Sequence, residues 1–96
     1  MINSKQRSKL RAMAHHLKPM VIIGKAGIID GAINSISRAL DDHELIKVKL
    51  GHDKKIKNQF VDIVKNKLSA LLIGNVGHTF IIFRLQEDKD KRKINI

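Results

Sequence analysis

LKPMVIIGKAGIIDGAINSISRAL, residues 17–40, carries the punctuation that sets the architecture. Pro19 has no N–H to donate and disfavours helical geometry at Lys18, so any helix before it must stop there. Met20-Val21-Ile22-Ile23 is a short continuous apolar run, the pattern of a buried strand. Beyond Gly24-Lys25-Ala26-Gly27 the periodicity becomes helical from Ile28 to Leu40. Ile29, Ala32, Ile33, Ile36, Ala39 and Leu40 share one face, while Asp30, Asn34, Ser37 and Arg38 share the other. The stretch therefore predicts strand, glycine loop, helix.

The flanks extend the pattern in both directions. Upstream, Ser4 to His16 predicts a helix with Ser4 as its N-cap and Leu10, Met13, Ala14 and Leu17 as its apolar stripe. Downstream, Leu45 to Leu50 alternates over most of its length. Ile46, Val48 and Leu50 take one face, and Lys47 and Lys49 the other, as in a half-buried strand. Gly51 ends it, and Asp53 caps a third helix running to about Leu68 with Ile56, Phe60, Val61, Val64 and Leu68 on its inner face. Leu71 to Val76, the Gly77-His78 turn and Thr79 to Arg84 form a hairpin. The order is α-β-α-β-α-β-β. A helical crossover makes the first two strands parallel, and the hairpin adds antiparallel pairing. The expected fold is α/β: one open, mixed four-stranded sheet with three helices. Residues 1–85 form a single domain, and residues 86–96, which lack a core pattern, are expected to be a mobile, charge-rich tail.

Charge narrows the class of function. The 96 residues hold 19 Lys+Arg against 9 Asp+Glu, a formal charge of +10. A soluble basic domain of this kind suits a polyanion. The distribution is lopsided. Lys5, Arg7, Lys9, Arg11, Lys18 and Lys25 all precede Asp30, the first acid. A merely solubilising surface mixes the two signs, so this one-signed segment points to a phosphate-docking face. The absence of cysteine excludes disulfides, thiolate metal sites and cysteine nucleophiles and fits the cytoplasm. No apolar run reaches membrane-spanning length, so no membrane association is expected.

Gly24-Lys25-Ala26-Gly27 is the sharpest local feature. It joins a strand end to a helix start, where unpaired backbone N–H groups and partial positive charge receive phosphate. Glycine removes the Cβ that would hold a phosphodiester away, and Lys25 adds a cation at the tip. The loop matches neither a Walker loop nor a dinucleotide fingerprint, so nucleotide hydrolysis is not expected. His15 and His16 lie side by side on a helix and cannot readily chelate one ion. No histidine has metal-site spacing, so neither a metal nor another cofactor is expected. The two imidazoles instead extend the basic face. With no Trp or Tyr and only three Phe, all on apolar-patterned elements, stacking of bases on exposed aromatics is not the expected mode. Contact through the phosphate backbone is.

Four motifs in order, Leu17-Lys18-Pro19, Ile23-Gly24-Lys25-Ala26-Gly27, His43-Glu44-Leu45-Ile46-Lys47-Val48-Lys49 and Val76-Gly77-His78-Thr79 through Phe83-Arg84, resemble the YhbY family of stand-alone bacterial CRM (chloroplast RNA splicing and ribosome maturation) domains. The resemblance spans about residues 3–85. It implies a sheet fold similar to the C-terminal domain of translation initiation factor three. It also implies an RNA-binding, non-enzymatic role on precursors of the large ribosomal subunit. The family's glycine loop maps onto Gly24, Lys25, Ala26 and Gly27, and its basic helix onto Lys5, Arg7, Lys9 and Arg11, with Lys18 beside Pro19. Two positions depart from the pattern. Ile29 stands where relatives often carry a capping Thr, Ser or Asn, and Phe83 replaces the hairpin's usual tyrosine.

The expectation is thus an RNA-binding module whose first helix and glycine loop form one phosphate-binding surface, flanked by His15, His16, Lys47 and Lys49. Two other classes stand beside it: a basic adaptor for an acidic protein, and an RNA-processing enzyme using His15 or His16. The sequence leaves the identity of the RNA and the oligomeric state open.

Overall fold

The structure is a computed structural model and describes residues 2–96. Its elements run α1 (Ser4–Ala14), β1 (Pro19–Ile22), α2 (Asp30–His43), β2 (Leu45–Lys49), α3 (Lys54–Asn66), β3 (Leu71–Val76) and β4 (Thr79–Phe83), followed by a short 3-10 turn at Lys89–Lys91. The sheet order is β1-β2-β4-β3, with β1 parallel to β2 and the other two pairings antiparallel. This is the α/β, mixed four-stranded architecture expected from the sequence.

Alternation of side chains divides the core between the two faces of the sheet. On one face Ile46, Val48, Phe80 and Ile82 pack against Ile36 and Leu40 of α2 and Phe60 and Val64 of α3. On the other, Leu45, Ile73, Ile81 and Phe83 pack against Leu10 and Ala14 of α1. The face carrying Lys47 and Lys49 is therefore not open along its length, because α1 covers part of it.

Register shows how much is covered. At one end Leu45, Phe83 and Leu71 lie in a row, and at the other Ile22, Lys49, Thr79 and Val76 do. The start of α1 lies over the first row, where Ile2 and Leu71 join its cluster. Arg11 and His15, at its end, reach only the middle of the sheet, beside Lys47, Ile81 and Gly74. The last row stays bare, and Ile22 and Val76 are each 72% exposed.

Several boundaries differ from expectation. Asn3, not Ser4, caps α1: its side chain accepts from the Gln6 amide while the Gln6 side chain accepts from the Asn3 amide. The helix ends at Ala14 rather than His16, and Met13 is exposed rather than part of the buried stripe. β1 is an edge strand with Met20 and Ile22 facing solvent, so its apolar run does not mark burial on both faces. Only Val21 and the following Ile23 turn to the core. α2 begins two positions late and runs on to His43, leaving Ile29 exposed. On α3, Ile63 joins the core and Val61 points outward.

The tail does not stand free. It folds back across the molecule, with Ile94 and Ile96 packed beside the α1 cluster. The Glu44 carboxylate holds it there, accepting from the amides of Gln86 (2.8 Å), Lys93 (2.6 Å) and Ile94 (3.0 Å). Glu44 is 1% exposed and adopts a left-handed φ of 65° at the end of α2. That conformation is costly for a residue with a side chain and persists only where its surroundings over-determine it.

Candidate nucleic-acid interface

The glycine loop sits off the end of β1 as a tight turn, closed by the Gly27 amide donating to the Gly24 carbonyl at 3.1 Å. Gly27 has φ +79°, where a side chain would be strained. Gly24 has open space on the side where a Cβ would stand, so an incoming backbone meets no obstruction there. Lys25 at the tip is exposed. Immediately after, α2 starts at Asp30 with Ile29 in the capping position and no side-chain cap, so its first-turn amides are left to solvent or a ligand. Asp30 in that turn stabilises the helix dipole and sets a negative charge beside those donors.

The loop's neighbours come from the β2–α3 connection rather than from α1. Gly24, Lys25, Gly51, His52, Asp53 and Ile56 line one depression. Beside it the His52 and His78 rings meet edge to face at 4.0 Å. In the sequence these two histidines read as separate surface residues. Their pairing follows from the register that brings the hairpin turn level with the end of β2, where the Leu50 amide donates to the His78 carbonyl at 2.8 Å.

The basic helix divides into two populations. The Arg7 guanidinium is half-buried and donates to the carbonyls of Leu72 (2.7 Å) and Ile73 (3.1 Å), so it clamps α1 to β3 rather than facing phosphate. Lys9 donates to the Asn95 carbonyl of the tail at 2.9 Å, and Lys5 is exposed on the same half of the helix. These three lie toward the end of the sheet remote from the loop. Arg11, His15, His16 and Lys18 lie nearer the loop end, all exposed. Lys47, half-buried under the end of α1, donates to the Leu17 carbonyl at 3.0 Å. Lys49 is exposed and pairs in register with Ile22, two residues before the loop. The structure brings only the end of the helix toward the loop. A strip from Arg11 and His15 through Lys47 and Lys49 to Lys25 joins them, and Lys5, Arg7 and Lys9 fall outside it.

Two residues that the sequence does not single out individually hold the opposite end together. Glu44 anchors the tail. Burial alone would raise the pKa of its carboxyl, but the three backbone N–H donors, helped by the Arg92 charge, outweigh burial and hold it below the ordinary value of 4.5. Arg84 donates to the carbonyls of Leu68 and Ser37, to the Ser37 hydroxyl and to Asp41 at 2.9 Å. Both belong to the motifs that carry the family resemblance, and both are structural. No group of three or more metal-binding side chains occurs among the described residues, and no described helix is long and apolar enough to cross a membrane.

Comparison with known proteins places this geometry among relatives. A Haemophilus influenzae protein named "RNA-binding protein" is 34% identical over 88 residues, covering 91% of this chain and 89% of its own. The Bacillus subtilis "Probable RNA-binding protein YqeI" is 33% identical over 97 residues, covering 100% and 99%. The solution structure of the hypothetical protein SAV1595 from Staphylococcus aureus has a TM-score of 0.77 at 27% identity, over 99% of this chain and 100% of that one. The CRS1 / YhbY (CRM) domain model matches residues 2–84, the whole of the sheet and its three helices, and the chain belongs to that family.

Proposed function

We propose that this protein binds RNA through its phosphate backbone, without catalysing a reaction, and that its target is ribosomal RNA in precursors of the large subunit, in the cytoplasm. The observation that carries the reading is the loop end of the sheet. The exposed Lys25 and Lys49, an unobstructed Gly24 and the uncapped start of α2 lie together there, with Lys47 leading on to Arg11 and His15. The names of the relatives, RNA-binding proteins, support the same partner. The family resemblance of the four sequence motifs supports the ribosomal setting. Charge on the strip steers encounter, and the loop amides with Lys25 fix the backbone.

Crosslinking the protein to RNA in cells and sequencing the attached fragments tests the target: enrichment of large-subunit rRNA over small-subunit rRNA supports it, and equal recovery refutes it. In vitro, log K should fall linearly with log salt, by about 0.7 per phosphate neutralised on a single strand. A flat salt dependence would remove the backbone mechanism.

A further inference from the structure

Beyond the loop, α1 and the strands beneath its end enclose a cleft of about 440 Å³. That volume lies in the range of sites for small ligands, roughly 300–1,000 Å³. Arg11, His15 and Lys47 stand around it, Ile81 and Val76 supply apolar surface, and no carboxylate lines it. Gly74 makes the arrangement possible: a Cβ there would lie 3.1 Å from the Arg11 Nε. With glycine in place, the Arg11 side chain lies along the β3 bulge. Its Nε reaches the Ile73 carbonyl at 3.4 Å, and its terminal nitrogens have no protein partner among the described residues. Lys47 gives one hydrogen bond to Leu17 and, as an ammonium, retains two further donors. Val76, at the mouth, is among the most exposed large apolar side chains of the molecule.

We propose that this cleft receives one unpaired nucleotide of the bound RNA. Its phosphate meets Arg11 and Lys47, and its sugar and base lie against Ile81 and Val76. The proposal rests on the RNA-binding reading and specifies the substrate class, single-stranded or looped rather than fully paired. Charge decides the occupant. A rim of cations without carboxylates matches an anion, and the apolar surface matches the face of a base. The strip through Lys47 and Lys49 continues the phosphate path from the loop. A base held in a duplex cannot enter, because pairing and stacking keep it inside the A-form helix, whereas an unpaired base can be splayed out. Lacking aromatics, the cleft offers aliphatic surface that tolerates any base.

Methyl and amide NMR on the full chain tests the proposal with two probes, a uridine tetranucleotide and a blunt RNA duplex. The tetranucleotide should shift the Val76 and Ile81 methyls together with the Gly24–Gly27 amides, while the duplex shifts the amides alone. Val76→Ser, neutral and at an exposed position, should weaken tetranucleotide binding roughly threefold by removing apolar surface from the mouth and leave duplex binding unchanged. Methyls that stay fixed while the loop amides move would overturn the cleft and leave the RNA-binding reading standing. An acidic peptide that moves the methyls when the tetranucleotide does not would also overturn it. If neither RNA moves any signal, both readings fall.

Discussion

At the Leu45–Phe83–Leu71 end of the sheet, polar groups are paired inward. Glu44 receives three amides, Arg84 serves Leu68, Ser37 and Asp41, and Arg7 serves the β3 carbonyls. At the Lys49–Thr79–Val76 end the loop, the start of α2 and the lysines face outward, beside two large apolar side chains left in water. The same residue types serve opposite purposes at the two ends. Cations that lie close together along α1 differ in what they meet: Arg7 and Lys9 are bonded to backbone carbonyls, whereas His15, His16 and Lys18 beyond its end are exposed. Net charge by itself does not distinguish them.

The contrast can be broken experimentally, starting where the effect is largest. Glu44→Ala should destabilise the fold by roughly 2–4 kcal/mol in urea denaturation, because three amides lose a charged acceptor. A loss within about 0.5 kcal/mol, the range of an ordinary surface substitution, would show that the tail is not fastened there. Acid should act on the same joint. The folded-state pKa of Glu44 lies below its ordinary 4.5, so its contribution is complete above that value and is lost as pH falls through the folded pKa. Tail amides should gain hydrogen exchange below about pH 4.5 before the sheet does, and simultaneous exposure of both would contradict the joint.

At the other end, Lys25→Glu with Lys49→Glu should leave the melting temperature nearly unchanged. RNA affinity should drop roughly tenfold, and the salt slope should shrink by about 0.7 for each single-strand phosphate that is no longer neutralised. Lys5→Glu with Lys9→Glu makes the same change in charge at the far end. It should cost about twofold or less at moderate salt, since screening removes most of a charge's influence beyond about 10 Å. Equal losses of affinity from the two double variants would erase the distinction between the ends and return the molecule to a uniformly basic surface.

Element order, the hairpin and the strand–loop–helix unit were legible because each rests on local periodicity or on Gly and Pro at turns. The Asp53 cap was legible for the same reason, and the structure has it accepting from the Lys55 amide. The Asn3–Gln6 capping box was present in the letters, but Ser4 is an equally good cap by composition. Only the reciprocal hydrogen bonds separate the two. Glu44 could not be read, since its donors lie more than forty residues downstream in a segment with no core pattern. Arg7 and Arg11 look alike on a helical wheel. Both reach the Ile73 carbonyl at the bulge where β3 gains its extra residue between Leu72 and Gly74, but Arg7 uses its terminal nitrogen there while Arg11 also lines a cleft. The loop itself was placed correctly at a strand end, but its partners at Gly51 and His52 come from another connection and leave no mark in local sequence.

The Arg7 clamp has a consequence for how the protein behaves in a crowd. β3 is the outermost strand on its side of the sheet, and such a strand offers a template on which a second chain can pair. The Arg7 guanidinium occupies the Leu72 and Ile73 carbonyls beside a bulge that interrupts the ladder. An approaching strand would have to displace a charged donor and match a broken register at once. One residue of the basic helix therefore raises the cost of pairing a further strand on that edge.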